Sequence, residues 1–177
     1  MSAFILLDRD GVINEDSDAF IKSPDEWQPI PGSLEALAWL NQRGVQVVIL
    51  TNQSGIARGL FDLETLERIH TKMRTAVEGL GGQISDIFFC PHGPDDGCTC
   101  RKPRPGLFQQ FAERYQVSLD ALPAVGDSYR DLQAAWAVKA SPVLVKTGKG
   151  LKTLEHHPDL DLPVYANLYE AVRHLYV

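Results

Sequence analysis

Four short stretches of this chain carry residues that could handle a phosphate group. LLDRDGVIN at 6–14 places Asp8 and Asp10 two residues apart. Both carboxylates point the same way if an extended strand runs through them, and Gly11 then allows a sharp turn. TNQSG at 51–55 offers hydroxyl, amide and backbone donors from Thr51, Asn52, Gln53 and Ser54. RKP at 101–103 brings two cations, Arg101 and Lys102, and VGDSYRD at 125–131 brings Asp127 followed by Ser128. Carboxylates from the first and fourth stretches would make an oxygen site of the kind magnesium favours, and a lysine and a threonine would complete a cradle for a phosphate sharing that ion. Each stretch alone reads equally well as an ordinary turn, a charged loop or a helix start. Together they offer mutually useful chemistry.

A second constellation is of a softer kind. CPHGPDDGCTC at 90–100 holds all three cysteines of the chain, Cys90, Cys98 and Cys100, together with His92. An odd number of thiols cannot pair fully in disulfides, and four sulfur and nitrogen ligands match tetrahedral zinc. A closed four-ligand shell leaves no position for water or substrate, so the expected Zn2+ is structural. The next two residues are Arg101 and Lys102. A zinc clasp would therefore tie down a connection that is otherwise rich in Gly and Pro, and would aim its cations. His70, His156, His157 and His174 have no such neighbours; His70 falls within a helix face and the others in a polar C-terminal region.

The elements that must position these residues alternate in type. AFILL (3–7), VQVVIL (45–50), ISDIFF (84–89), LPAV (122–125) and PVLVK (142–146) are short, apolar and bounded by turn residues, as buried strands are. Helical periods lie between them. One runs from Ser33, the expected N-cap, to a stop at Gly44. Another is capped by Asp62 and carries Leu63, Leu66, Ile69, Met73, Val77 and Leu80 on one stripe. Further helical stretches cover 105–115 and 128–140. The pattern predicts an α/β fold with a mostly parallel sheet covered on both faces. Ligands in such sheets bind beyond the carboxyl ends of the strands, which is where all four motifs fall.

Bulk properties narrow the class. The chain has 177 residues, 44% hydrophobic and 23% charged, with a net charge of -6. That suits one globular domain and speaks against a nucleic-acid partner, since phosphate backbones require concentrated Lys and Arg. Its longest apolar runs are far short of the ~20 residues of a membrane span, and the N-terminus lacks a basic leader, so a cytoplasmic monomer with no membrane partner is expected.

DRDGVIN, TNQSG, the lysine of RKP, and GDS are similar to the four motifs of the haloacid dehalogenase (HAD) superfamily of aspartate-based phosphohydrolases. The likeness runs from about Phe4 to Gly148. TNQSGIARG, CPH followed by CTCRKPRPG, and VKTGK more closely resemble the D-glycero-D-manno-heptose 1,7-bisphosphate 7-phosphatase family, a relative of the histidinol-phosphate phosphatases. The resemblance implies a HAD-like Rossmannoid three-layer sandwich, and too few residues lie between Gly11 and Ser33 for a separate cap domain. It makes Asp8 the nucleophile and Asp10 the acid and base. Mg2+ is then held by the Asp8 side chain, the Asp10 carbonyl and Asp127, while Lys102 and Thr51 neutralise or bond the phosphoryl oxygens. Asp16, Ser17, Asp18, Asn52, Gln53, Ser54, Arg101 and Ser128 become substrate contacts. Arg101 suits a second phosphate and residues 16–18 suit sugar hydroxyls. Ser128 stands where some members carry lysine, which alters the charge near that second phosphate. The implied activity is magnesium-dependent hydrolysis of a heptose bisphosphate through an aspartyl phosphate. That reaction serves ADP- or GDP-heptose and lipopolysaccharide biosynthesis. Alternatives are a histidinol-phosphate or other small sugar-phosphate phosphatase and, outside enzymes, a zinc-stabilised binding protein.

Overall fold

The computed structural model describes residues 3–177. Its strands are β1 (Ala3–Leu7), β2 (Val45–Asn52), β3 (Asp86–Cys90), β4 (Pro123–Gly126), β5 (Ser141–Val145) and β6 (Val164–Tyr165), in the spatial order β3-β2-β1-β4-β5-β6. Every pairing is parallel. The helices are α1 (Ser33–Gln42), α2 (Leu63–Gly79), α3 (Gly106–Tyr115), α4 (Tyr129–Ala137), α5 (Gly150–His156) and α6 (Leu168–Leu175). The predicted α/β class and the five predicted strands are present, β1 with the predicted bounds and the others with ends shifted by at most two residues.

Strand parity divides the interior into two cores. Ile5 and Leu7 of β1, with Val47 and Ile49 of β2, pack on Leu37, Leu40, Ile69, Met73, Val77 and Val172 of α1, α2 and α6. Phe4, Leu6, Val48 and Leu50 face the other way, onto Leu107, Phe108, Phe111 and Ala135 of α3 and α4. Successive side chains of a strand alternate faces, so a single residue's parity decides which helices it meets.

Several local expectations are corrected. Gly32, not Ser33, caps α1, because the Ser33 hydroxyl donates instead to the Ile13 carbonyl at 2.7 Å. Asp62 does cap α2, accepting from the Thr65 N–H at 2.8 Å. The apolar stripe of α2 is buried at Leu66, Ile69, Met73 and Val77, whereas Leu63 and Leu80 at its ends are exposed. The polar C-terminal region folds into α5, β6 and α6. Its signal is faint because β6 has two residues and α6 buries only Leu168, Ala171 and Val172.

β1 and β4 are neighbours, yet the chain leaves them toward opposite edges of the sheet. This switch opens a crevice beyond their carboxyl ends, into which Asp8, Asp10 and Asp127 project.

Candidate active site and cysteine cluster

A cleft of about 230 Å³ lies over the ends of β1, β2 and β4 and is lined by residues from all four motifs. Asp8 follows β1 directly, and its backbone N–H is bonded to the Val125 carbonyl of β4. Gly11 turns the chain with φ +83°, and a Cβ there would land on the Asp127 carboxylate, as would one at Gly148. The two glycines thus let Asp127 sit against the backbone beside Asp8. Asp127 accepts the Lys149 N–H at 2.8 Å, and its carbonyl accepts the Thr153 hydroxyl at 2.8 Å.

Lys102 is 3% exposed and its ammonium is held at three points. Nζ lies 3.2 Å from Asp8 Oδ1 and 2.7 Å from Asp131 Oδ1, and it donates to the Leu50 carbonyl at 2.8 Å. Burial alone would push its pKa down, but the charges of Asp131 and Asp8 hold it well above the lysine range. Burial, then the Asp131 charge, raises Asp8 to about 7 against the pull of Lys102. Asp127 is likewise raised by burial and by Asp131 and Asp8. Three crowded carboxylates against one ammonium leave a surplus of negative charge that a cation would relieve. Ligand oxygens of Asp8, Asp127 and Asp131 lie within 4.8 Å of one another; those of Asp131 are taken up by Lys102, Asp127 and Ser128, and the hard oxygens of Asp8 and Asp127 fit magnesium.

Asp131 gave no sequence signal beyond an acidic residue in the first turn of α4. Its Oδ2 accepts the N–H groups of Asp127 and Ser128 at 3.1 Å each and the Ser128 hydroxyl at 3.0 Å. Ser128 therefore serves as the N-cap of α4 as well as lining the cleft. Asn52 also has a local task, for its Oδ1 accepts the Lys102 N–H at 3.0 Å and its Nδ2 donates to the Lys102 carbonyl at 3.1 Å. That reciprocal clamp ties the end of β2 to the lysine loop.

Asp10 is held on one side. Its Oδ1 accepts Arg9 Nε at 2.8 Å and Asn14 Nδ2 at 3.0 Å. Burial raises its pKa, but the Arg9 charge and the hydrogen bonds from Arg9, Asn14 and Gln53 outweigh burial and leave it below the ordinary carboxylate value. Thr51 Oγ1 accepts Gln53 Nε2 at 3.0 Å and makes only a long 3.4 Å contact to the Asn52 carbonyl, so its proton is available to a ligand.

Toward the mouth, Asp16 pairs with Lys149 at 2.6 Å, while Ser17, Asp18 and Ser54 line the wall with Phe20. Arg58, Arg101 and Arg130 also line it, and none has a carboxylate partner among the described residues. Burial, then the charges of Arg130 and Arg58, lowers the Arg101 pKa. Arg58, Arg130 and Lys149 were not singled out from the sequence. Only the fold brings them to the cleft.

The Cys90, Cys98 and Cys100 sulfurs come within 4.8 Å of one another, with Cys90 and Cys98 3.7 Å apart and all three thiols free. Burial pushes the Cys90 and Cys100 thiols up. Such a cluster could hold a soft metal ion. His92 is exposed on the same loop and is not among the converging ligands. The loop returns to α3 through an Arg101 carbonyl bond to the Arg104 N–H and a Thr99 carbonyl bond to the Gly106 N–H.

Comparison with known proteins finds a matching family model, haloacid dehalogenase-like hydrolase, over residues 3–138. The chain is 61% identical over 150 residues to D-glycero-beta-D-manno-heptose-1,7-bisphosphate 7-phosphatase of Bordetella bronchiseptica, covering 85% of this chain and 84% of that one. It is 35% identical over 178 residues to the enzyme of that name from Escherichia coli O6:H1, covering 96% and 93%. Among solved structures, it superposes with a TM-score of 0.95 on D,D-heptose 1,7-bisphosphate phosphatase from B. bronchiseptica complexed with magnesium and phosphate. That match has 55% identity and covers 98% and 97% of the two chains.

Proposed function

The chain belongs to the haloacid dehalogenase-like hydrolases, and from that premise we propose that it removes the 7-phosphate of D-glycero-β-D-manno-heptose 1,7-bisphosphate, with Asp8 as nucleophile. The chain is a phosphoric monoester hydrolase, and its relatives carry that substrate and anomer in their names. The observation that carries the residue assignment is the convergence of Asp8, Asp10 and Asp127 in one cleft with the buried Lys102 ammonium 3.2 Å from Asp8.

An Asp8 oxygen attacks phosphorus, the bond from phosphorus to the sugar oxygen breaks, and the departing electron pair takes the proton that Asp10 holds once the phosphate dianion beside it opposes its ionisation. Water then attacks the aspartyl phosphate, gives a proton back to Asp10 and releases phosphate with Asp8 restored. Lys102 offsets charge on Asp8 and on the phosphoryl oxygens, and Thr51 donates its free hydroxyl proton to them. Asp131 holds Lys102 in place, since its own oxygens are filled by Lys102, Asp127 and Ser128. Mg2+ held by Asp8, the Asp10 carbonyl and Asp127 would supply further charge neutralisation. Zn2+ on Cys90, Cys98 and Cys100, with His92 as fourth ligand, would fix the lysine loop without entering the chemistry.

The second phosphate meets Arg101, with Arg58 and Arg130 beside it. Arg130 makes up for the cation missing at Ser128. Asp16, Ser17 and Asp18 face sugar hydroxyls, and Gln53 and Ser54 complete the wall. We place the enzyme in the supply of nucleotide-activated heptose, acting as a cytoplasmic monomer. Phosphate release from the β and α heptose bisphosphates and from histidinol phosphate, with and without magnesium, tests the reading. The β bisphosphate should be turned over fastest and only with metal, and Asp8→Asn should be inert while remaining folded. A preference for histidinol phosphate would replace the substrate assignment.

A further inference from the structure

Arg9 stands between the two catalytic aspartates and yet is 0% exposed. Its side chain runs toward α2, just past the end of β1. There Nη1 lies 3.1 Å from His70 Nε2, while Nε donates to Asp10 Oδ1 at 2.8 Å. Nη2 is buried with no partner among the described residues. A guanidinium has only donors, so the His70 Nε2 that faces it must accept, and the ring is neutral with its proton on Nδ1. Burial and the neighbouring charges of Arg9 and Arg74 favour that neutral form, opposed by Asp10. A buried cation with one idle donor is an expensive way to fill space, because an apolar residue would pack there without desolvation.

We propose that Arg9 and His70 are positioning residues for proton transfer by Asp10. Helix α2 fixes the His70 ring, the ring fixes the guanidinium, and the guanidinium holds Asp10 Oδ1. Asn14 bonds that same oxygen, and Oδ2, which takes no bond from Arg9 or Asn14, is the oxygen that trades a proton with the sugar oxygen and with water. Neither Arg9 nor His70 touches substrate. The inference rests on the phosphatase reading above, in which Asp10 is the acid.

The test separates protonation of the leaving group from everything else. A sugar phosphate departs as an alkoxide and needs a proton, whereas p-nitrophenyl phosphate departs as a stable phenolate and does not. In rapid-mixing single turnovers of the magnesium-loaded enzyme, His70→Leu and Arg9→Lys should slow phosphoryl transfer from the heptose bisphosphate roughly 10- to 100-fold, the scale of general acid catalysis. Release of p-nitrophenolate should change less than about twofold on that reasoning, and KM for the bisphosphate should hold. His70→Gln, whose amide oxygen still accepts from Arg9, should recover most of the loss and also guards against a variant that misfolds. Equal slowing on both substrates, a change confined to KM, or no change would overturn the inference. Failure of the wild-type enzyme to turn over either substrate would instead defeat the phosphatase reading itself.

Discussion

His70 shows how far burial drives a side chain from its behaviour in water. Burial, then the charges of Arg9 and Arg74 set against Asp10, pushes its imidazole down to about 3 from 6.5. Between those pH values the unfolded chain binds a proton that the folded chain refuses. Stability therefore stands at its full value above about pH 6.5 and falls as pH drops toward 3. At about 1.4 kcal/mol per pH unit, this residue alone makes the protein about 2–3 kcal/mol less stable at pH 4.5 than at pH 6.5. His70→Gln should remove that part of the slope. Urea unfolding at the two pH values measures it, and equal losses in wild type and variant would show that His70 titrates normally. The sequence placed His70 on a helix face but gave it no partner, because the partner lies 61 residues away. Asp131 escaped notice for the same reason, being a first-turn acid until its contact with Lys102 is seen.

At the scale of elements, the connection from β3 to α3 decides where Lys102 sits. β3 ends on Cys90, α3 begins at Gly106, and Lys102 lies between them beside the thiol cluster. Asn52 clamps Lys102 from β2, so two devices hold the same residue. Cys98→Ser should lower zinc content and stability. A loss of about 2 kcal/mol corresponds to about 4–8 °C in Tm for a chain of this size. Metal analysis and calorimetry read both, and unchanged zinc content would defeat the four-ligand assignment. The cysteine spacing was legible because its ligands are close in sequence. The reciprocal amide clamp was not, since Asn52 reads equally well as a ligand contact.

The whole molecule sets a basic mouth in an acidic surface. The net charge is -6, yet Arg58, Arg101 and Arg130 gather at the cleft. Attraction between exposed charges falls with salt as the screening length shrinks from ~10 Å at 0.1 M to ~3 Å at 1 M. KM for a sugar bisphosphate should therefore rise several-fold between 0.05 and 0.5 M salt, on the order expected for exposed charges, with kcat little changed. A phosphomonoester lacking the second phosphate should respond less. Equal salt responses would mean that the three arginines do not engage that group.

By itself the sequence determined the α/β class, the strand ends that carry Asp8, Thr51 and Asp127, and the clustering of the cysteines in the loop that carries Lys102. These follow from short-range patterns: apolar runs of strand length, helical stripes, and ligand types spaced within one loop. The tertiary structure decided which side chains hold those residues in place. Asp131 reaches Lys102, Arg9 reaches His70, and Gly11 and Gly148 admit the Asp127 carboxylate only because the parallel sheet brings strand ends distant in sequence into one crevice. Strand parity assigns Ile5 and Leu7 to one face, but which helix covers that face depends on the order of the strands. Such order comes from packing two layers of helices on one sheet, which no local window contains.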